Sequence, residues 1–130
     1  RFIILCTRIA REKFSVSPER EKAFDMVRQF YVLVDNHFKE KKMVQDYADM
    51  LHRSPKTLSN LFTTCGLPSP LRIIHERIEA EAKRLLLYSQ KSAKEITEIL
   101  GFEDQATFSR FFKKMTGESV SEYRKREKRE

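Results

Sequence analysis

The 130 residues suffice for one compact domain with a further helix attached, and 26 Lys and Arg against 19 Asp and Glu leave a net charge of +7 that favours a polyanionic partner. Two widely separated cysteines, Cys6 and Cys65, exclude a paired-thiol metal site, and the apolar run Phe2 to Cys6 is too short to cross a bilayer or to form a signal peptide. Scarce Gly and Pro among abundant Lys, Arg, Glu, Leu and Ala favour helix, since straight-chain residues lose little rotamer freedom there.

Phe2, Leu5, Cys6 and Ile9 recur at helical spacing before the breaker run Ser15 to Pro18. Residues 1–16 therefore read as the helical tail of a preceding region or a linker, and residues 17–130 as the domain proper. The chain opens on Arg rather than Met, and is expected to be a fragment or processed piece of something longer.

Ser17 and Pro18 form a cap and first-turn pair, opening a long amphipathic helix with the stripe Phe24, Val27, Phe30, Tyr31, Val34 and Phe38. Shorter helices follow. Val44, Tyr47, Ala48 and Leu51 share one face; Ser54-Pro55 then opens a helix with the stripe Leu58, Leu61, Phe62 and Cys65. After the break Gly66 to Pro70, a helix runs from Ser69-Pro70 to about Tyr88. Ser92 caps a short helix buried through Ile96, Ile99 and Leu100, and Gly101-Phe102-Glu103 turns the chain. Asp104 caps a helix carrying Phe108, Phe111, Phe112 and Met115, which Gly117 ends, and Ser119 begins the last helix, to about Lys128. No segment alternates with period two, so the expected fold is all-α.

Charge is not evenly spread. No Asp or Glu occurs from Met50 through His75, where about four would be expected, and Arg124, Lys125, Arg126, Lys128 and Arg129 crowd the end.

The internal repeat carries the functional reading. Leu58-Ser59-Asn60-Leu61-Phe62 matches Phe108-Ser109-Arg110-Phe111-Phe112 at a shift of fifty. Ala48-Asp49-Met50-Leu51 matches Thr97-Glu98-Ile99-Leu100 at forty-nine, so the second turn is one residue longer. Each copy is a short helix, a tight turn and a capped helix, the layout of a helix-turn-helix. One copy is weak; two at a fixed spacing in a basic chain are much stronger.

At 3.6 residues per turn, the first stripe leaves Lys56, Ser59, Asn60 and Thr63 outward. The second leaves Ala106, Ser109, Arg110 and Lys113 outward, with Gln105 on the flank. These faces hold a guanidinium fork, amides, hydroxyls and ammonium groups, which suit base edges in a major groove. The candidate base-reading set is Lys56, Ser59, Asn60, Gln105, Ala106, Ser109 and Arg110. Candidate phosphate contacts are Arg53, Thr57, Thr63, Thr107, Lys113 and Lys114, helped by the positive ends of helix dipoles. A helix from Leu71 to Tyr88 runs roughly 27 Å, near the roughly 34 Å between successive major-groove faces. It is a plausible strut between two readers.

The run Ala82-Lys83-Arg84-Leu85-Leu86, then Ile96, Leu100-Gly101-Phe102, Phe108-Ser109-Arg110-Phe111-Phe112-Lys113-Lys114, Thr116-Gly117 and Tyr123-Arg124 resembles the AraC/XylS family of transcription regulators. The resemblance spans roughly Glu21 to Arg126. It implies a seven-helix, homeodomain-like domain whose two helix-turn-helix units enter adjacent major-groove segments. It further implies duplex DNA as partner, RNA polymerase as a possible second one, and a separate sensing or dimerisation region in the full-length protein. A bacterial, cytoplasmic setting follows from the same resemblance. Three departures stand out: His52 where the first turn often has Gly, Leu67 at the usual helix-ending Gly with Gly66 one place early, and Ala106 at a position often polar. The first outward face is also less cationic than the second.

No cofactor, metal or catalytic residue is expected. A phosphate-cradling Gly loop and an HExxH run are both missing, and His37, His52 and His75 lie on separate elements. The rival reading from another class is a helical protein–protein adaptor, with an exposed apolar groove and no salt-dependent DNA affinity.

Overall fold

The computed structural model describes residues 18–128. The expected tail Phe2 to Ile9 and the cap residue Ser17 lie outside the described residues. Within them run seven α-helices: α1 Pro18–His37, α2 Val44–Leu51, α3 Pro55–Thr64, α4 Pro70–Tyr88, α5 Ala93–Ile99, α6 Gln105–Thr116 and α7 Val120–Lys128. No strand occurs among the described residues. The chain divides into two compact units, and the division falls inside α4, between Ile74 and His75.

Helix starts follow local chemistry. Ser54 accepts from the Thr57 amide at 3.1 Å, with Pro55 supplying a preset φ in the first turn. Ser69 accepts from the Arg72 amide at 3.2 Å. Ser92 and Ser119 each form a reciprocal box with the acid three residues on, Glu95 and Glu122. Each cap pairs an amide donor that the helix geometry itself leaves without a partner.

In the first unit, Phe24, Val27, Phe30 and Val34 bury one stripe of α1, which meets Tyr47, Ala48 and Leu51 of α2 and Leu58 and Phe62 of α3 in the core. The Phe30 ring lies 5.0 Å edge-on from Phe62 and 5.5 Å from Tyr47. The Tyr47 hydroxyl donates to the Lys41 carbonyl at 2.6 Å, and burial pushes its pKa up to about 12. The phenol therefore holds the α1–α2 loop as a neutral donor.

The second unit is built on Ile78, Ala82, Leu85 and Leu86 of α4, Ile96 and Leu100, Phe108 and Phe112, and Val120 and Tyr123. Phe112 meets Tyr123 edge-on at 5.4 Å. Arg124 Nε donates to the Leu86 carbonyl at 3.1 Å, tying α7 to the C-terminal turn of α4. The stripes are narrower than expected. Leu61 on α3, Cys65 at its C-terminal cap, and Phe111 and Met115 on α6 are half-buried rather than enclosed, each at the edge of its helix's inner face. Tyr31, Val44 and Ile99 are likewise half-buried.

Candidate nucleic-acid interface

The two helix-turn-helix units share a backbone construction as well as a sequence pattern. Helix α2 ends with His52 N–H donating to Asp49 O at 3.2 Å and Arg53 N–H donating to Ala48 O at 2.9 Å. Helix α5 ends with Gly101 N–H donating to Glu98 O and Phe102 N–H donating to Thr97 O, both at 3.1 Å. All four positions correspond at a shift of forty-nine, and each pair of bonds closes the helix as a Schellman motif. His52 has φ 57° and Gly101 φ 78°, so a histidine fills the left-handed position that glycine fills in the second copy.

Helix starts beyond the turns correspond at a shift of fifty. Asp104 accepts from the Thr107 amide at 2.7 Å, as Ser54 does from Thr57. The extra residue lies between the left-handed position and the cap: His52 to Ser54 in one copy, Gly101 to Asp104 in the other.

On α3, Lys56, Thr57, Ser59, Asn60, Thr63 and Thr64 are exposed, together with Arg53 in the turn. Several of their hydroxyls are already engaged. Thr63 donates to the Ser59 carbonyl and Thr64 to the Asn60 carbonyl, both at 2.9 Å, while Thr57 pairs with the Ser54 hydroxyl at 2.9 Å. A threonine has one proton to give, so for Thr63 a phosphate contact must replace a bond already made. Thr64 is an addition to the candidates that the sequence offers. Its exposure follows from helical spacing, since it lies one turn beyond the outward Asn60. Gly66, at φ 72°, turns the chain there, with Leu67 N–H donating to Phe62 O at 2.9 Å.

On α6, Gln105, Ala106, Arg110, Lys113 and Lys114 are exposed, whereas Thr107 and Ser109 are half-buried. Phe111 anchors the helix between Phe102, at 5.3 Å, and His75 of α4, which it meets edge-on at 5.2 Å. Burial, and then the charge of Lys114, hold the His75 imidazole below its ordinary pKa, so near pH 7 it packs as a neutral ring.

Many carboxylates of the second unit are committed elsewhere. Glu95 and Glu122 serve caps, Glu79 pairs with Lys83 at 2.8 Å, Arg84 grips Glu81 with two nitrogens, and Arg126 grips Glu118 likewise. Asp104 caps α6 and lies within reach of the charge of Arg110. Its pKa is lowered first by the Thr107 amide and further by the charge of Arg110. The structure thus sets a cationic, capped helix surface in each unit, stronger on α6. Among the described residues no group of His, Cys, Asp and Glu is gathered as a metal site, and no helix is long and apolar enough to cross a membrane.

The comparisons with known proteins find helix-turn-helix regulators. A family described as "Helix-turn-helix domain" matches residues 47–126. The chain is 30% identical to the uncharacterised HTH-type transcriptional regulator YisR of Bacillus subtilis, over 93% of this chain and 41% of that protein. It is 36% identical to the arabinose operon regulatory protein of Salmonella typhimurium, over 71% of this chain and 31% of that one. The chain therefore spans well under half the length of these relatives. Among solved structures, the C-terminal domain of AraT, a response regulator from Geobacillus stearothermophilus, superposes with a TM-score of 0.69 at 28% identity, covering 85% of this chain and 86% of that one.

Proposed function

Given that the chain belongs to the AraC/XylS family of helix-turn-helix transcription regulators, we propose that it binds specific duplex DNA through both α3 and α6, placed in adjacent segments of the major groove. The observation that carries this is the duplicated turn: the same pair of closing bonds and the same cap precede both helices, at fixed shifts of forty-nine and fifty. A fold that needed only one reader gains nothing from repeating a turn in such detail.

Lys56, Ser59, Asn60, Gln105, Ser109 and Arg110 face base edges in this reading, with Ala106 offering a methyl-sized apolar contact to thymine. Arg53, Lys113 and Lys114 lie against phosphates, with Thr57, Thr63 and Thr107 and the helix N-termini as neutral donors. The domain spans 17–130, works without cofactor or catalysis, and regulates bacterial transcription in the cytoplasm. The full-length protein adds a sensing or dimerisation region, and RNA polymerase is a second partner.

Selection from a random duplex pool, followed by footprinting, tests this. The expected result is one enriched motif protected in two stretches about 10 base pairs apart, centre to centre. A single protected stretch would remove one reader. No enrichment, with binding indifferent to salt, would favour the adaptor instead.

A further inference from the structure

Because the two reading helices correspond residue by residue at a shift of fifty, their outward faces can be compared position by position. At the first helical position α3 has Pro55, with neither amide proton nor polar side chain, where α6 has exposed Gln105. Asn60 corresponds to Arg110, an amide against a charged two-pronged donor, and both are exposed. Thr63 and Thr64 correspond to Lys113 and Lys114. The two threonines spend their hydroxyl protons on the Ser59 and Asn60 carbonyls, whereas the two lysines carry exposed ammonium groups. Lys56 against Ala106 is the one exchange that favours α3.

We infer that the two units divide the task unequally: α6 sets most of the base preference, through Gln105 and Arg110, and α3, whose Lys56 meets a base edge with a single ammonium of low discrimination, acts mainly as a sequence-tolerant grip. The inference rests on the DNA-binding reading above and goes beyond it. Two planar, two-pronged side chains, Gln105 and Arg110, are exposed on α6, against one, Asn60, on α3, and bidentate pairs of this kind discriminate strongly between bases. Backbone amides at a helix N-terminus meet phosphate, which carries no sequence information, and the point charge of a lysine lacks the planar fork of an arginine. Helix α3 is also two residues shorter than α6, with 10 residues against 12, and offers less length to follow a groove.

The test uses the whole chain and two double variants, Lys56→Ala with Asn60→Ala, and Gln105→Ala with Arg110→Ala. All four positions are exposed, so melting temperatures should match the parent and confirm that each variant folds. Each protein is carried through the same random duplex selection and then titrated on every single-base change of the parental motif. The α6 variant is expected to lose about tenfold or more of its preference at two or more base positions. The α3 variant is expected to lose affinity for all sequences alike, while its preference at each position changes less than about threefold. If the α3 variant instead flattens as many positions as the α6 variant, the division of labour is overturned while DNA binding stands. If the parent itself selects no motif, the DNA-binding reading fails, and this inference with it.

Discussion

His52 and Gly101 occupy the same left-handed step, φ 57° and 78°, at the same place in two turns forty-nine residues apart. For a residue with a Cβ that conformation costs roughly 1–2 kcal/mol, although histidine tolerates it better than branched residues do. The first turn therefore holds strain that the second avoids.

From this, His52→Gly should raise stability by about 0.5–1 kcal/mol, the relief exceeding the backbone entropy that glycine adds to the unfolded chain. Gly101→Ala should lower it by about 1–2 kcal/mol. Urea denaturation of both variants checks the pair. Equal and opposite signs are not required, but a destabilised His52→Gly would mean that the imidazole makes a contact worth more than the strain.

Removing Phe62 or Phe112 tests the cores. Each side chain is fully enclosed, and truncation to Ala should cost about 3–5 kcal/mol. Phe111→Ala should cost less, because its ring is only half-buried between Phe102 and His75. Thermal unfolding that ranked Phe111 above Phe112 would place the α6 register wrongly.

Much of this was legible beforehand. Caps could be named from sequence because Ser-Pro and Asp before an apolar run have few other uses, and the repeat fixed both turns, including the extra residue between Gly101 and Asp104. Family resemblance had marked His52 as unusual, and its φ gives the physical content of that departure. Two features were not legible. A helical stripe shows which face is inward but not where its edge falls, so Leu61 and Phe111 looked as buried as Leu58 and Phe108. The engaged hydroxyls of Thr63 and Thr64 depend on a rotamer choice that threonine splits two ways in helices.

Acid should loosen the second unit through its caps. The carboxyls of Glu95, Asp104 and Glu122 all sit below their ordinary values, in each case first because a backbone amide donates to them. A lowered folded pKa means the stabilising contribution is complete above the unfolded value and is lost as pH falls through the folded one. Helix content followed by circular dichroism should accordingly hold from neutral pH to about pH 4.5 and decline below it. The triple variant Glu95→Gln, Asp104→Asn, Glu122→Gln should show a flatter acid limb; an unchanged limb would assign acid unfolding to other carboxylates.

Arg110 and Lys113, three residues apart on one exposed face, should fail differently when removed. Arg110→Ala should cost about 1–3 kcal/mol on the selected site and relax preference at one base pair. Lys113→Ala should weaken all sequences alike and reduce the salt slope by about 1. Competition binding against single-base substitutions separates them. Uniform weakening by Arg110→Ala would make it a backbone contact.

The most direct test of duplex recognition is the affinity of the chain for its selected site and for a scrambled duplex, measured by fluorescence anisotropy from about 50 to 200 mM salt. Cationic contacts by Arg53, Lys113 and Lys114 predict a log–log slope of about −3, since each neutralised phosphate contributes about −0.9. The selected site should be preferred by about a hundredfold or more at the upper end of that range, where nonspecific attraction is screened and base contacts persist. Equal affinity for both duplexes, or a slope near zero, would contradict the account.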